Sequence, residues 1–199
     1  QIYNSNRQLL ISWLQRLGCE VVDAGILPDD LQATRDALAQ LLDVGLILST
    51  GGVSVGEADF LGAALREEGQ LAFWKLAIKP GKPLLVATRG AQVILGLPGN
   101  PTSAFVTAFL FLLPLIRHMA GSLSPLPEIF EAKTVNALFP GGSRAEYVRG
   151  KVEGGSITAF TSRDSGLVSP LSHSNALIIR DVDAPATPAG AVVQYHRLF

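Results

Sequence analysis

The sequence predicts an α/β domain, a mostly parallel sheet flanked by helices, followed by a small all-β domain. Helical and extended hydrophobic patterns alternate over roughly the first 120 residues, as strands joined by crossover helices do. After Gly121 the texture changes to short apolar runs broken by Gly, Ser and Pro, which suits a small sandwich or barrel. Hydrophobic residues make up 48% of the 199 and charged residues 17%, a balance that fills a core and excludes disorder. The break in texture places one domain at 1–122 and another at 123–199, joined through Ser122-Leu123-Ser124-Pro125-Leu126-Pro127.

Each element has a local reason. Leu9, Leu10, Trp13, Leu14 and Leu17 recur at helical spacing, and Gly18 supplies a stop. Asn4, Ser5 and Asn6 read as a polar loop opening that helix. Glu20 to Ala24 reads as extended, and Pro28-Asp29-Asp30 as a turn in which Asp30 caps a second helix carrying Leu31, Leu38, Leu41 and Leu42. Val44 to Leu48 is a continuous apolar run of the kind a fully covered strand shows. A helix follows near Phe60 to Glu68, then extended runs at Leu71 to Ile78, Leu84 to Ala87 and Val93 to Leu95, and a long helix from Thr102 to about Met119. In the second domain the extended runs are Phe130 to Leu138, Glu146 to Val152, Ser156 to Phe160, Ala176 to Arg180 and Gly190 to Tyr195.

Sixteen basic against seventeen acidic residues give a net charge of −1, so no global field recruits nucleic acid or an anionic membrane. The longest apolar run, Ala104 to Ile116, includes Thr107 and Pro114 and is shorter than the roughly 20 residues of a membrane span; it reads as a buried helix. The single cysteine, Cys19, excludes an internal disulfide and suits a reducing cytoplasm. The chain starts at Gln1 without a leader pattern and is expected to be a piece of a longer protein.

In an open α/β sheet, ligands gather outside the carboxyl ends of the strands. Three segments there are unusual. In Ser49-Thr50-Gly51-Gly52-Val53-Ser54-Val55-Gly56-Glu57-Ala58-Asp59, the glycines let backbone N–H groups face an anion and the hydroxyls add donors. Asp59 alone reads as an N-cap; with Glu57 two positions before it, the pair can hold Mg²⁺ over a pyrophosphate. In Lys75-Leu76-Ala77-Ile78-Lys79-Pro80-Gly81-Lys82-Pro83, strand alternation puts Lys75 and Lys79 on one side of the sheet and Lys82 on a stiff turn. In Gly96-Leu97-Pro98-Gly99-Asn100-Pro101-Thr102-Ser103, Asn100 can cap, Pro101 suits the first helical position, and the helix N-terminus offers free N–H groups to an anion. No P-loop, dinucleotide fingerprint or nucleophile elbow is present. His118, His173 and His196 lack metal-ligand spacing, and Met119 with Phe105, Phe109 and Phe111 sits at core-helix positions.

In this order, Gly-Gly-Val-Ser-Val-Gly-Glu-Ala-Asp, Lys-Pro-Gly-Lys-Pro and Gly-Leu-Pro-Gly-Asn-Pro form a specific combination. With Gln1 to Asn6, Gly18 to Val21, Ala72 to Trp74, Gly142 to Arg149, Ser165-Gly166-Leu167 and Asn175-Ala176-Leu177, they give a chain that resembles the molybdopterin molybdenumtransferase family, the MoeA type related to gephyrin, over essentially its whole length. The resemblance implies a cytoplasmic, homodimeric enzyme that takes adenylated molybdopterin and molybdate, inserts molybdenum and releases AMP with help from Mg²⁺. It implies Asp59, Lys75, Lys79 and Asp29 as catalytic groups, with Asp59 and Glu57 at the metal. Asp29 is preferred to Asp30, which already serves as a cap. Arg144 and Ser165 would handle molybdate, and Pro98 and Pro101 would shape the pterin loop. Asn6, Ser49, Gly51, Gly52, Ser54, Gly56, Lys82, Gly99 and Asn100 complete the expected substrate-binding set. The resemblance also implies two domains, and a strand with a Thr-Gly-Asp-Glu-type loop, ahead of Gln1. Two other readings share parts of this pattern: a molybdopterin adenylyltransferase and a gephyrin-like scaffold module. The β-rich second half and the Lys-Pro-Gly-Lys-Pro turn favour the transferase.

Overall fold

The computed structural model describes residues 5–52, 60–67, 71–160 and 172–198, of which 67 and 71–75 by backbone alone. In chain order the first elements are α1 (Ser5–Arg16), α2 (Leu31–Gln40), β1 (Leu46–Thr50), α3 (Phe60–Glu67), β2 (Leu71–Lys75), β3 (Ile78–Lys79), β4 (Pro83–Arg89) and β5 (Gln92–Leu97). Then come α4 (Pro101–Thr107), a π-helical turn (Ala108–Leu112) and α5 (Leu113–Met119), followed by β6 (Phe130–Thr134), β7 (Ala145–Glu153), β8 (Ser156–Ala159), β9 (Ala176–Arg180) and β10 (Val192–Arg197). Spatially these form two compact units, Gln1–Leu76 with Pro83–Ala104, and Ala77–Lys82 with Phe105–Phe199.

The first unit is built on a four-stranded sheet of order β1-β5-β4-β2. Only β1 and β5 run parallel; β5–β4 and β4–β2 are antiparallel. The described sheet is therefore mixed, which corrects the expectation of a mostly parallel one. The reason is connection length. Gly90-Ala91 alone separates β4 from β5, and residues 76–82 separate β2 from β4, whereas a parallel crossover needs a dozen residues or more. Leu38 of α2 and Leu61, Ala64 and Leu65 of α3 pack with Ile47, Leu85, Ala87 and Ile94 of the sheet to form the core.

Helix boundaries follow side-chain chemistry. Asp30 Oδ1 accepts the Ala33 N–H at 2.8 Å, so the expected cap of α2 is present. At the other end of α2, Arg89 donates to the Leu38 carbonyl at 3.0 Å, and Gln92 donates to those of Leu41 and Val44 at 2.7 and 2.6 Å. The Leu38 carbonyl also accepts the Leu41 N–H at 3.2 Å, so Arg89 and Gln92 tie the end of α2 and the segment after it to the β4–β5 hairpin. Helix α1 starts at Ser5, ahead of the apolar positions that announced it. The extended run read at Glu20 to Ala24 forms no strand: it is irregular, largely exposed chain with no ladder partner among the described residues.

The long helix is one 19-residue run, Pro101–Met119, apolar and long enough to cross a membrane but 67% buried within the protein, as a core helix is. Its π turn has a local cause. Pro114 has no N–H and its ring crowds the carbonyl four residues back, and here the Leu113 N–H bonds instead to the Ala108 carbonyl, five residues back.

In the second unit, β7-β8-β6-β10-β9 closes on itself through the β7–β9 pairing, giving a five-stranded barrel. Ile157, Ala159, Ala176, Ile178, Val193 and Tyr195 fill it. The two-residue β3 lies parallel to β7, outside the ring. The run read as one strand from Leu71 to Ile78 thus divides. Lys75 ends β2, opposite Pro83 of β4, while Lys79 sits in β3, opposite Glu146 of β7. The two lysines do not share a sheet, which corrects the alternation argument.

Arg180 is 5% exposed and ties a barrel-end loop together. It donates to Thr187 Oγ1 at 2.8 Å and to the Phe139 and Pro185 carbonyls at 3.0 and 2.7 Å. Arg180→Ala should cost about 2–4 kcal/mol of unfolding free energy, because buried acceptors lose their donors. Arg180→Lys should recover only part of it, since an ammonium cannot reproduce the guanidinium fork. Urea denaturation measures both, and an Arg180→Ala protein as stable as the parent would refute the assignment.

Candidate functional site

Because β1 and β5 are parallel neighbours, with Ser49 opposite Gly96 and Thr50 opposite Leu97, their carboxyl ends leave the sheet side by side. Two of the three marked segments therefore meet. The Gly51 N–H bonds to the Leu97 carbonyl at 3.0 Å, so this N–H is occupied and not open to an anion. What Gly51 provides is closeness. Its φ is +82°, and a Cβ added at Gly99 would stand 3.4 Å from the Gly51 Cα. The two loops touch through bare backbone, which no larger residue at Gly51 could match without strain. Gly52 and Gly99 are exposed, Ser49 and Thr50 are half-buried, and Pro98 is buried.

The turn into α4 behaves as a capped helix start. Asn100 Oδ1 accepts the N–H groups of Thr102 and Ser103 at 3.2 and 3.4 Å, and the Asn100 carbonyl accepts that of Ala104. Pro101 has no N–H to offer. The expectation that this helix end presents free donors is thereby corrected: an anion there would meet the helix dipole and Asn100 itself. Asn6, buried on α1, donates to the Gly99 carbonyl at 2.8 Å and fixes the same loop from below. The polar residues opening the first helix are thus part of the site's support. Arg7, the next residue, holds Asp23 through paired bonds of 2.9 and 2.6 Å, which ties α1 to the exposed segment before α2. Asp29 is exposed in the turn beside the capping Asp30.

Lys79 to Lys82 of the Lys-Pro-Gly-Lys-Pro turn belong to the second unit. The Lys79-Pro80 peptide is cis, and Gly81 has φ +113° with Thr107 so close that a Cβ would lie 2.5 Å from its methyl group. The turn is clamped by β7: Ile78 pairs with Ala145 and Lys79 with Glu146, the Ala145 N–H bonds to the Ala77 carbonyl at 2.9 Å, and Arg144 donates to the Ile78 carbonyl at 3.3 Å. Lys79 Nζ lies 3.0 Å from Glu146 Oε1. Lys82 is exposed. Lys79, Arg144 and Glu146 are therefore neighbours although 67 residues separate Lys79 from Glu146. Glu146 was not among the expected site residues, because only the pairing of β3 with β7 reveals it. On the next residue of β7, burial and then the charge of Asp181 push the Tyr147 phenol up. His196 is a structural group. It is buried, donates from Nδ1 to the Glu128 carbonyl at 2.8 Å, and lies against Phe109 and Tyr147. Ser54, Gly56, Glu57, Asp59 and Ser165 lie outside the described residues, as does the Lys75 side chain. Among the described residues no cluster of three or more His, Cys, Asp or Glu is placed to hold a metal.

Residues 1–118 match a family profile described as "Probable molybdopterin binding domain". The chain belongs to that family. Residues 131–198 match the MoeA C-terminal region, domain IV, so the molybdopterin-binding part and the barrel each have a counterpart. A molybdopterin molybdenumtransferase from Haemophilus influenzae is 37% identical over 200 residues, covering 97% of this chain and 50% of the relative. The Drosophila melanogaster molybdenum cofactor synthesis protein cinnamon is 34% identical over 96% of this chain and 34% of its own length. The solved molybdopterin biosynthesis MoeA protein from Pyrococcus horikosii superposes with a TM-score of 0.84, at 23% identity, over 100% of this chain and 49% of that one; this shows the shared fold. The chain spans half or less of the length of these curated relatives.

The Arg7–Asp23 pair gives a pH signature. The bonds from Arg7, and then the Gly25 N–H, hold the Asp23 carboxyl below its ordinary value. A folded-state value below the unfolded one means that the pair stabilises the fold above about pH 4, and that this contribution fades as pH falls through the folded value. Carboxyl NMR titration should find Asp23 below about 3.9 and moving upward in Arg7→Ala. An unshifted Asp23 would show that the pair does not form in solution.

Proposed function

We propose that this chain supplies the molybdopterin-binding and C-terminal β parts of a molybdopterin molybdenumtransferase, acting in molybdenum cofactor biosynthesis. On this reading the enzyme takes adenylated molybdopterin and molybdate, transfers molybdenum to the pterin dithiolene and releases AMP. The observation that carries it is the side-by-side exit of the β1 and β5 loops, with Gly51 and Gly99 backbone to backbone. Such a low, side-chain-free floor lets a flat pterin or a pyrophosphate approach the main chain closely. The match of residues 131–198 to the MoeA C-terminal region favours the molybdenumtransferase over an adenylyltransferase.

The residue roles follow the same reading. Ser49, Gly51, Gly52, Ser54, Gly56, Pro98, Gly99, Asn100 and Pro101 shape the pterin and phosphate side, with Asn6 beneath. Glu57 and Asp59, the latter directly before α3, offer the hard oxygen donors that Mg²⁺ prefers. When bound, that ion supplies positive charge against the pyrophosphate. Lys75, Lys79 and Lys82 offset phosphate or molybdate charge. Arg144 and Ser165 suit a tetrahedral dianion, and Asp29 is the further acidic group. The two parts are taken as residues 1–122 and 123–199, which accords with family matches at 1–118 and 131–198. A homodimer in the cytoplasm is the expected setting.

The test is molybdate-dependent release of AMP from adenylated molybdopterin by the full chain with Mg²⁺. Asp59→Asn should lower kcat by about 10²–10³ while ligand affinity changes only a fewfold. No AMP release by the folded parent, or full activity in Asp59→Asn, would overturn the assignment.

A further inference from the structure

We propose that Glu146 is a positioning residue for Lys79, holding its ammonium where a tetrahedral dianion is received; this rests on the functional reading above. The parallel β3–β7 pairing sets Lys79 directly opposite Glu146, and the side chains meet at 3.0 Å. Lys79 keeps 39% of its side-chain exposure whereas Glu146 keeps 18%. The carboxylate is thus the sheltered anchor and the ammonium the presented group. An ammonium has three donors; among the described residues Glu146 engages one, and the Lys79 side chain stays 39% exposed. A lysine on a four-carbon stem samples many rotamers when free, so an anchored one loses less freedom when an anion arrives. Arg144 is held to the same short strand by its bond to the Ile78 carbonyl at 3.3 Å. Two cations are therefore braced at adjoining positions, and Glu146 sets the placement of one of them.

The role is separable from folding and from the charge of Glu146. In the full chain, Glu146→Ala should raise the KM for molybdate about three- to fivefold, with kcat and melting temperature nearly unchanged. Glu146→Gln, whose amide oxygen still accepts from Lys79, should return KM to within about twofold of the parent. Lys79→Ala should raise that KM about tenfold or more, and adding Glu146→Ala to it should change nothing further. An effect of Glu146→Ala that persists undiminished without Lys79, or no effect while Lys79→Ala is impaired, would overturn the positioning role alone. A Lys79→Ala protein with unaltered molybdate dependence would overturn the clamp itself, and the positioning role with it.

Discussion

The parallel register of β1 on β5 is the constraint on which the candidate site depends. Because the strands run the same way, both carboxyl ends arrive at one edge, and the loops leaving them are neighbours. A slip of one residue would turn every side chain to the opposite face and separate Gly51 from both Gly99 and the Leu97 carbonyl. The register is anchored at the far end by Gln92. Its amide bonds to the Leu41 and Val44 carbonyls lock the start of β5 to the end of α2. It is anchored at the near end by Asn6, whose bond to the Gly99 carbonyl draws α1 under the loop. Packing of Ile47 and Ile94 against α2 and α3 fixes which face is inward.

Burial separates cations that build the fold from cations that present charge. Arg180 is almost wholly enclosed by backbone carbonyls and a threonine hydroxyl, so it has no freedom to meet a ligand. Arg89 closes the end of α2 in a similar way. Lys79 is different: among the described residues it meets one carboxylate, that of Glu146, and it keeps substantial exposure, which leaves it able to meet an incoming anion. Burying an ammonium more deeply would raise its desolvation cost without adding reach.

Much of the fold was legible in the sequence because local signals agreed. Asp30 as a cap, Asn100 before Pro101, and the apolar runs of β1, β5, β9 and β10 each have a cause within a few residues. Strand direction was not legible from alternation alone. It followed from connection length, since seven residues between β2 and β4 and two between β4 and β5 rule out parallel crossovers. The split of the Leu71 to Ile78 run was hidden for another reason: β3 is a strand only because β7, far along the chain, pairs with it. Loop composition pointed to the Gly51 and Gly99 segments, yet composition could not show that the Gly51 N–H was already bonded to the Leu97 carbonyl. Glu146 lies within the Gly142 to Arg149 stretch that carries the resemblance, but nothing in that stretch pairs it with Lys79; its place there is a consequence of long-range pairing.

The central claim, that the paired β1 and β5 loops form the floor of a pterin-phosphate site, is tested most directly by a crystal structure of the full chain with adenylated molybdopterin. Ligand atoms should lie in van der Waals contact with the backbone of Gly51 or Gly52 and of Gly99, with β1 and β5 paired Ser49 to Gly96 and Thr50 to Leu97. A ligand bound elsewhere, with the Gly51–Gly99 contact left open to solvent, would contradict it.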